Sequence, residues 1–327
     1  MPVARDNYGR PVLSMRIQVN TTCNFKCFFC HMEGTGIHSE SMSADEIEKI
    51  IATAHRWGVN KIKFTGGEPT LRRDIVDIVS RARKHVSGNI SMTTNGIMLP
   101  KLAPDLKNAG LDRVNISLHS IDREKFQFIT GVDAIDTVIK GIRAAHDAGL
   151  SPVKVNFVVL RNLNEDQIPE MLKLAAREKF VLQLIEFETT REMENSAEYL
   201  RYHMPLDGIE ESIAGKSVKI EFNDLHHRPK YLIPVDDGFA EVEFVKPMRN
   251  AEFCSHCTRI RLTSTGSLKP CLMRDDNYRD IISKIRNGSS EEDLDRIYLS
   301  SVRDREPYWK EEDEIARQSK VFRISKG

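Results

Sequence analysis

Six short apolar segments alternate with helical patterns between residues 14 and 187, and this alternation constrains the fold more than any other feature. The predicted strands are 15–19, 61–65, 89–94, 113–118, 153–160 and 181–187. Such alternation predicts parallel strands joined by right-handed crossovers. Six units are too few for a closed eight-stranded barrel. We therefore predict an α/β fold, an open, partial β/α barrel of the TIM type, with its active site after the carboxyl ends of the strands.

The first crossover carries a clear helix signal. Ser43 followed by Glu46 predicts a capping box, and an apolar stripe begins at Ile47. Gly58 fits the end of that helix. Similar stripes predict helices at 75–82 and 135–142, and a further helix that starts at Asn164 and ends near Lys179.

The alternation stops near Glu188, and the following segment 189–250 is polar and rich in proline. We predict a core domain at 1–188 and an appended region at 189–327 that covers the mouth of the barrel. A short helix is predicted near 278–286. The acidic stretch 289–295 receives no function from its sequence.

All six cysteines fall into two trios, with none left over. The first trio is Cys23, Cys27 and Cys30, and the second is Cys254, Cys257 and Cys271. Thiolates are soft ligands that hold metals or iron–sulfur clusters, so two trios predict two metal centres. A zinc site completed by His31 or by His256 is the structural alternative for each trio.

Composition excludes several classes of function. The chain has 327 residues and a formal net charge of +0, which argues against sequence-independent binding of nucleic acid. It has no run of about 18 apolar residues, so we expect no membrane span. The first residues lack an apolar leader, so we expect a cytoplasmic protein whose cysteines are reduced metal ligands rather than disulfides.

A glycine pair, Gly66-Gly67, directly follows the second predicted strand. Two glycines at such a place let the backbone approach a ligand closely. Cys23, Gly67, Thr93 and Ser117 all follow or end predicted strands. We therefore expect these residues to converge on one mouth of the barrel.

The spacing CxxxCxxC after the first strand, with GGEP after the second, resembles the radical S-adenosylmethionine (SAM) superfamily. The resemblance implies a [4Fe–4S] cluster on Cys23, Cys27 and Cys30. It also implies that this cluster chelates SAM through its amino and carboxylate groups. One electron would then cleave SAM to methionine and a 5′-deoxyadenosyl radical that takes hydrogen from the substrate.

The segment FCSHCTRIRLTSTGSLKPCL narrows the resemblance to the GTP 3′,8-cyclase family, and the likeness extends over nearly the whole chain from Arg16. It implies a second [4Fe–4S] cluster on Cys254, Cys257 and Cys271, with an open iron that binds guanine. The radical would take hydrogen from ribose C3′, and C3′ would attack guanine C8. The product would be 3′,8-cyclo-7,8-dihydro-GTP, formed with Arg261 as a catalytic basic residue.

The family's contacts transfer onto matching positions of this sequence. The GTP contacts implied are Arg16, Lys63, Thr93, Lys154, Arg259 and Arg261. The SAM contacts implied are Gly67, Ser117, Glu188 and, through its backbone, Phe29. Implied partners are GTP, an electron donor of the ferredoxin or flavodoxin type, a downstream cyclic pyranopterin monophosphate synthase that takes the product, and a second copy in a homodimer.

This sequence departs from the family pattern at several positions. Phe29 replaces a frequent Tyr, and Gln183 and Glu188 stand where many members have an Arg and, five residues later, a Met. The chain ends at 324–327 with one glycine where many members have two, so we expect altered insertion of the tail. Two alternatives stay open: a two-cluster radical SAM enzyme that modifies peptides, and a zinc-stabilised binding protein without catalysis.

Overall fold

Twelve strands form one mixed sheet in the computed structural model, which describes residues 1–36, 42–222, 228–236 and 238–311. The strands are β1 Ser14–Gln18, β2 Lys61–Thr65, β3 Ile90–Thr94, β4 Arg113–Ser117, β5 Lys154–Val159, β6 Val181–Glu186, β7 Lys219–Phe222, β8 Pro229–Val235, β9 Gly238–Val245, β10 Arg259–Leu262, β11 Ser267–Lys269 and β12 Arg279–Asp280. Their order is β12-β11-β10-β1-β2-β3-β4-β5-β6-β9-β8-β7.

Helices fill the crossovers between the strands. They are α1 Ala44–Arg56, α2 Ile75–His85, α3 Leu99–Asn108, α4 Arg123–Thr130, α5 Ile135–Asp147, α6 Ile168–Glu178, α7 Ala197–Tyr202, α8 Asp207–Lys216, α9 Ala251–Ser255, α10 Ile282–Arg286 and α11 Glu291–Arg303. None of these helices combines the length and the apolar character that crossing a membrane requires.

The predicted open β/α barrel is confirmed. Strands β1 to β6 lie side by side in chain order, and each is parallel to the next. Their bounds agree with the predicted segments to within one or two residues. The capping box at α1 is also present, because the Ser43 hydroxyl accepts from the Glu46 N–H at 3.2 Å and the Glu46 carboxylate accepts from the Ser43 N–H at 2.7 Å.

The region after Glu188 is more regular than the sequence prediction allowed. It adds one parallel strand to each edge of the six-stranded core: β10 pairs with β1, and β9 pairs with β6. The signal for β9 is present in the chain, because Ala240, Val242 and Phe244 alternate with polar residues and are buried. Prolines flank β9 on both sides, and proline is uncommon within sheets. The composition of the segment therefore obscures this alternation with a period of two.

The acidic stretch 289–295 has a structural explanation. Ser290 caps α11, and its hydroxyl accepts from the Asp293 N–H at 3.2 Å. Glu291 and Glu292 lie in the first turn, where the helix dipole stabilises negative charge. The short helix predicted near 278–286 is α10, preceded by the two-residue strand β12. The predicted change in the tail concerns 324–327, which lie outside the described residues.

A buried lysine joins the C-terminal region to the segment that follows the first cysteine trio. The Lys269 side chain is 1% exposed. Its ammonium donates to the Gly34 carbonyl at 2.7 Å, to the Asp275 carboxylate at 2.7 Å and to the Tyr278 hydroxyl at 2.8 Å. All three ammonium protons therefore have acceptors, as a buried lysine requires.

We predict that Lys269→Met destabilises the protein by about 1–3 kcal/mol, because the Gly34 carbonyl is left without its charged donor. The measurement is the shift of the urea unfolding midpoint at constant slope. Lys173→Met is the matched control, because Lys173 is 41% exposed and pairs only at the surface. Equal stability of the two variants would contradict this role for Lys269.

Candidate active site

One cavity of about 580 Å³ opens at the carboxyl ends of the parallel strands, where the barrel fold places active sites. Both cysteine trios line it. The structure places all sixteen residues predicted from the sequence on its wall. They are Arg16, Cys23, Cys27, Phe29, Cys30, Lys63, Gly67, Thr93, Ser117, Lys154, Glu188, Cys254, Cys257, Arg259, Arg261 and Cys271. Their individual roles stay predictions.

The loop of the first trio is fastened to the end of α4. The Lys26 N–H donates to the Thr130 carbonyl at 2.7 Å, and the Phe28 N–H donates to the Ile129 carbonyl at 3.3 Å. Burial and the neighbouring Cys30 and Cys23 together raise the pKa of the Cys27 thiol to about 12. A thiol in such a place ionises when a metal compensates its charge, which is the chemistry of a cluster ligand.

The glycine pair lets two loops touch. The Gly67 N–H donates to the Asn20 carbonyl at 2.9 Å. A Cβ on Gly67 would lie 2.3 Å from the Thr22 carbonyl oxygen, a contact that no side chain tolerates. Glu68 follows, and its buried carboxylate accepts from the Thr94 hydroxyl at 2.6 Å. These contacts fix the ends of β2 and β3 against the cysteine loop.

The second trio is held by buried arginines that the sequence analysis missed. Arg10 donates to the Cys254 carbonyl at 2.7 Å, and Arg305 donates to the Cys257 carbonyl at 2.5 Å. Asp6 lies between these arginines, 2.8 Å from Arg10 Nε and 3.3 Å from Arg305 Nη1. These contacts join residues that are far apart in the chain, so no local motif announces them.

The two histidines proposed as zinc ligands are engaged elsewhere. His31 Nδ1 accepts from the Glu33 N–H at 3.0 Å, and its Nε2 lies 3.4 Å from the Glu188 carboxylate. His256 Nδ1 lies 3.0 Å from the Glu252 carbonyl. Within the described ranges, no three potential ligands are close enough to hold a single metal ion. The three free thiols of each trio match the donor set that three irons of a [4Fe–4S] cluster take.

Three cationic residues lie side by side at one level of the cavity wall. The strand register places Arg261 on β10 beside Arg16 on β1, and Arg16 beside Lys63 on β2. Burial and the adjacent Arg261 and Arg259 lower the pKa of Arg16 to about 9. Burial, Arg113 and Arg16 lower the pKa of Lys63 well below its ordinary value. The row therefore favours an anionic ligand.

One carboxylate balances part of this row. Glu33 forms an ion pair with Arg261 across the cavity wall. Burial alone would raise the pKa of Glu33, but Arg261, His31 and Arg16 lower it to about 2. The guanidinium of Arg261 is thereby held in place as a charged donor.

The wall opposite the row is built by β5, β6 and β9. Lys154 Nζ lies 2.6 Å from Glu243 Oε1, and Gln183 donates to Glu243 Oε2 at 3.1 Å. Gln183 also accepts from Asn115 at 3.2 Å. Glu243 was missed from the sequence because its strand, β9, was not predicted.

Arg228 is a further cation that sequence reasoning missed. It lines the cavity, and burial and the nearby Arg259 lower its pKa to about 10. Arg228 and Arg259 both lie against the Phe253 ring, with guanidinium carbons 5.9 Å and 5.3 Å from its centroid. The Phe253 ring thus packs against two cations beside the second trio.

Phe29 packs inside the cavity against a neutral histidine. Its ring lies 4.9 Å from that of His119 in an edge-to-face arrangement. Burial lowers the pKa of His119 to about 3. His119 Nδ1 accepts from the Val158 N–H at 3.1 Å, so the ring orientation is fixed.

The geometry of the cysteine loop, the glycine pair and the strand ends is that of the radical SAM class. The sequence profile described as the radical SAM superfamily matches residues 17–175. The profile described as Molybdenum Cofactor Synthesis C matches residues 180–311.

Two relatives narrow the class further. A protein of Thermoplasma volcanium named probable GTP 3′,8-cyclase is 59% identical over 320 residues, which cover 98% of this chain and 97% of that protein. A protein of Pyrococcus abyssi with the same name is 47% identical and covers 93% of this chain and 99% of its own length. The chain belongs to the GTP 3′,8-cyclase family.

Solved structures share the fold. Streptococcus suis SuiB superposes with a TM-score of 0.65 at 17% identity, over 92% of this chain and 68% of that chain. The structure described as native anSMEcpe with bound AdoMet superposes with a TM-score of 0.52 at 19% identity, over 81% of this chain and 76% of that chain. At these identities the likeness concerns the architecture alone.

We predict that Arg305→Met lowers the iron held by the second trio, because the Cys257 carbonyl and Asp6 both lose a buried charged partner. Iron and sulfide analysis after anaerobic reconstitution should fall from about eight towards about four irons per chain. Arg303→Met is the matched control, since Arg303 ends α11 two residues before Arg305 and is exposed. Full iron loading of Arg305→Met would show that the arginine does not support the cluster loop.

Proposed function

We propose that this protein is a radical SAM GTP 3′,8-cyclase of molybdenum cofactor biosynthesis. It converts GTP to (8S)-3′,8-cyclo-7,8-dihydroguanosine 5′-triphosphate by joining ribose C3′ to guanine C8. The observation that carries the proposal is the row of Arg261, Arg16 and Lys63 on the wall of a cavity lined by both cysteine trios. Membership of the cyclase family supports the same substrate.

The charge of the cavity suits a nucleoside triphosphate. Ten Lys and Arg residues and six glutamates line the cavity, while the whole chain has a formal net charge of +0. The positive excess is therefore local. Arginine forks bind phosphate oxygens in pairs, which favours a triphosphate over a neutral ligand.

The donor sets fit two [4Fe–4S] clusters, on Cys23, Cys27 and Cys30 and on Cys254, Cys257 and Cys271. With SAM, the first cluster supplies a one-electron cleavage that yields a carbon radical able to remove a hydrogen atom. We assign SAM to the end of the cavity formed by Phe29, Gly67, Ser117 and Glu188.

The protein's own side chains orient GTP. Arg16, Lys63, Thr93, Lys154 and Arg259 would hold it between the trios, with ribose C3′ directed towards the first. Fixing the sugar and the base in one geometry favours closure of the new ring.

Arg261 has a distinct part in this proposal. Its ion pair with Glu33 orients the guanidinium. We assign it to stabilising negative charge on the guanine as the last electron and proton arrive, which is electrostatic catalysis by a fixed donor.

The partners and location are part of the proposal. The reaction needs an external one-electron donor, of the ferredoxin or flavodoxin type, and a downstream cyclic pyranopterin monophosphate synthase to take the product. We propose a homodimer in the cytoplasm, where the six free cysteines stay reduced and available to iron.

The first test is the formation of 5′-deoxyadenosine by the anaerobically reconstituted chain with SAM and dithionite. We expect GTP to stimulate this formation strongly, with the cyclised product appearing in equal amount. Matched assays use ATP in place of GTP. SAM cleavage that is indifferent to GTP would contradict the proposal and favour a peptide-modifying enzyme.

We predict that Arg228→Gln raises the KM for GTP by roughly 10–100-fold with a smaller change in kcat, since a charge-assisted contact contributes about 1.5–3 kcal/mol. Steady-state assays with dithionite measure both constants. Arg296→Gln is the control, because Arg296 is 78% exposed on α11. An unchanged KM would show that Arg228 does not contact GTP.

A further inference from the structure

The cysteine loop of the first trio separates the cavity from the outer surface of the protein. Phe29 lines the cavity and packs on His119, whereas the adjacent Phe28 packs outside it. The Phe28 ring lies 5.8 Å from the Phe128 ring and 4.9 Å from the Tyr202 ring. The aromatic contacts of Phe28 therefore connect the backbone beside Cys27 with the protein surface.

The outer end of this aromatic group is exposed. Phe128, on α4, has 60% of its surface accessible. Tyr202 is buried beneath Phe28, and the guanidinium carbon of Arg201 lies 5.2 Å from its ring centroid. We call Phe28, Phe128 and Tyr202, with the flanking cations Lys26, Arg161 and Arg201, the outer patch.

No described carboxylate forms an ion pair with a cation of the outer patch. Lys26 and Arg201 are exposed, and Arg161 is tied in by its N–H, which donates to the Tyr202 carbonyl at 2.8 Å. None of the three forms an ion pair with a described residue, whereas Arg123 and Lys125 on α4 are both paired with aspartates. The patch thus combines an exposed aromatic side chain with cations that form no ion pair among the described residues, on a chain of formal net charge +0.

We infer that the outer patch is the docking surface of an acidic, low-potential one-electron carrier protein that reduces the cluster on Cys23, Cys27 and Cys30. This inference rests on the proposed function, which requires one electron from outside for each SAM cleaved. In the step, the carrier loses one electron and the cluster gains it, and no bond forms or breaks. Since electron transfer slows steeply with distance, the short path from Phe28 to the adjacent Cys27 favours this face.

The composition of the patch suits a transient complex. Redox encounters bury little area, and aromatic residues lie at the centres of such interfaces with charges at the rim. Unpaired cations attract an acidic partner and speed its association more than they tighten the complex. A permanent subunit contact would bury a broader apolar surface.

The test uses the iron-loaded full chain and a reduced acidic bacterial flavodoxin as the probe. Stopped-flow absorbance follows the flavodoxin semiquinone that appears as the cluster is reduced, so neither SAM nor GTP is needed. The variants are Phe128→Ser and Arg201→Glu. Their matched controls are Phe222→Ser, which alters a 66% exposed phenylalanine on β7, and Lys140→Glu, which alters an exposed lysine on α5.

We expect each outer-patch variant to lower the second-order rate of cluster reduction by flavodoxin at least about tenfold at low salt. Reduction by dithionite should stay within about twofold of the unaltered chain, and the control variants should behave like it. Raising the ionic strength should slow the reduction of the unaltered chain by flavodoxin and leave the reduction of Arg201→Glu nearly unaffected.

Three results would overturn the inference. One is a rate of cluster reduction by flavodoxin that Phe128→Ser and Arg201→Glu leave unchanged. Another is an equally large decrease in the rate of cluster reduction by dithionite, which would show damage to the cluster loop. The third is a change of sedimentation mass in Phe128→Ser, which would make the patch a contact between copies of the chain. Failure of the proposed function appears separately, as normal cluster reduction without GTP-dependent SAM cleavage.

Discussion

The row of cations formed by Arg261, Arg16 and Lys63 is the constraint on which the site depends. Like charges on three adjacent strands destabilise one another in a poorly solvated cavity, as the lowered pKa of Arg16 shows. The register is fixed because Met15 and Ile17, on either side of Arg16, are fully buried. A slip by one residue would exchange the cations for apolar side chains, so folding the core also assembles the anion site.

The C-terminal region continues the sheet of the core at both edges. Its strand β10 supplies one end of the cation row, and its strand β9 supplies Glu243 on the opposite wall. Buried polar contacts support this arrangement: Arg305 and Arg10 hold the backbone of the second trio, and Lys269 ties β11 to Gly34. The distance between the two trios is therefore set by strand pairing and not by a flexible linker.

Local sequence patterns predicted the core, whereas they did not predict the contacts between distant segments. The six strands, the capping box at Ser43 and both cysteine trios have signatures within a few residues, so the sequence alone predicted them. The contacts of Arg305 with Cys257 and of Arg10 with Cys254 join distant segments and have no such signature. Glu243 was missed together with its strand, because pairing of β9 at the far edge of the core is decided by the sheet.

The surroundings of Gln183 show how charged side chains from different elements reach one cavity. An arginine there would meet Glu243, which already accepts from Lys154 and from Gln183 itself. Arg228 approaches the same cavity from the loop before β8 and is influenced by both Glu243 and Arg259. Arg228 thus adds a positive charge to the cavity from a strand connection. Anion recognition depends on the number of cations facing the cavity, and different elements of the fold can provide them.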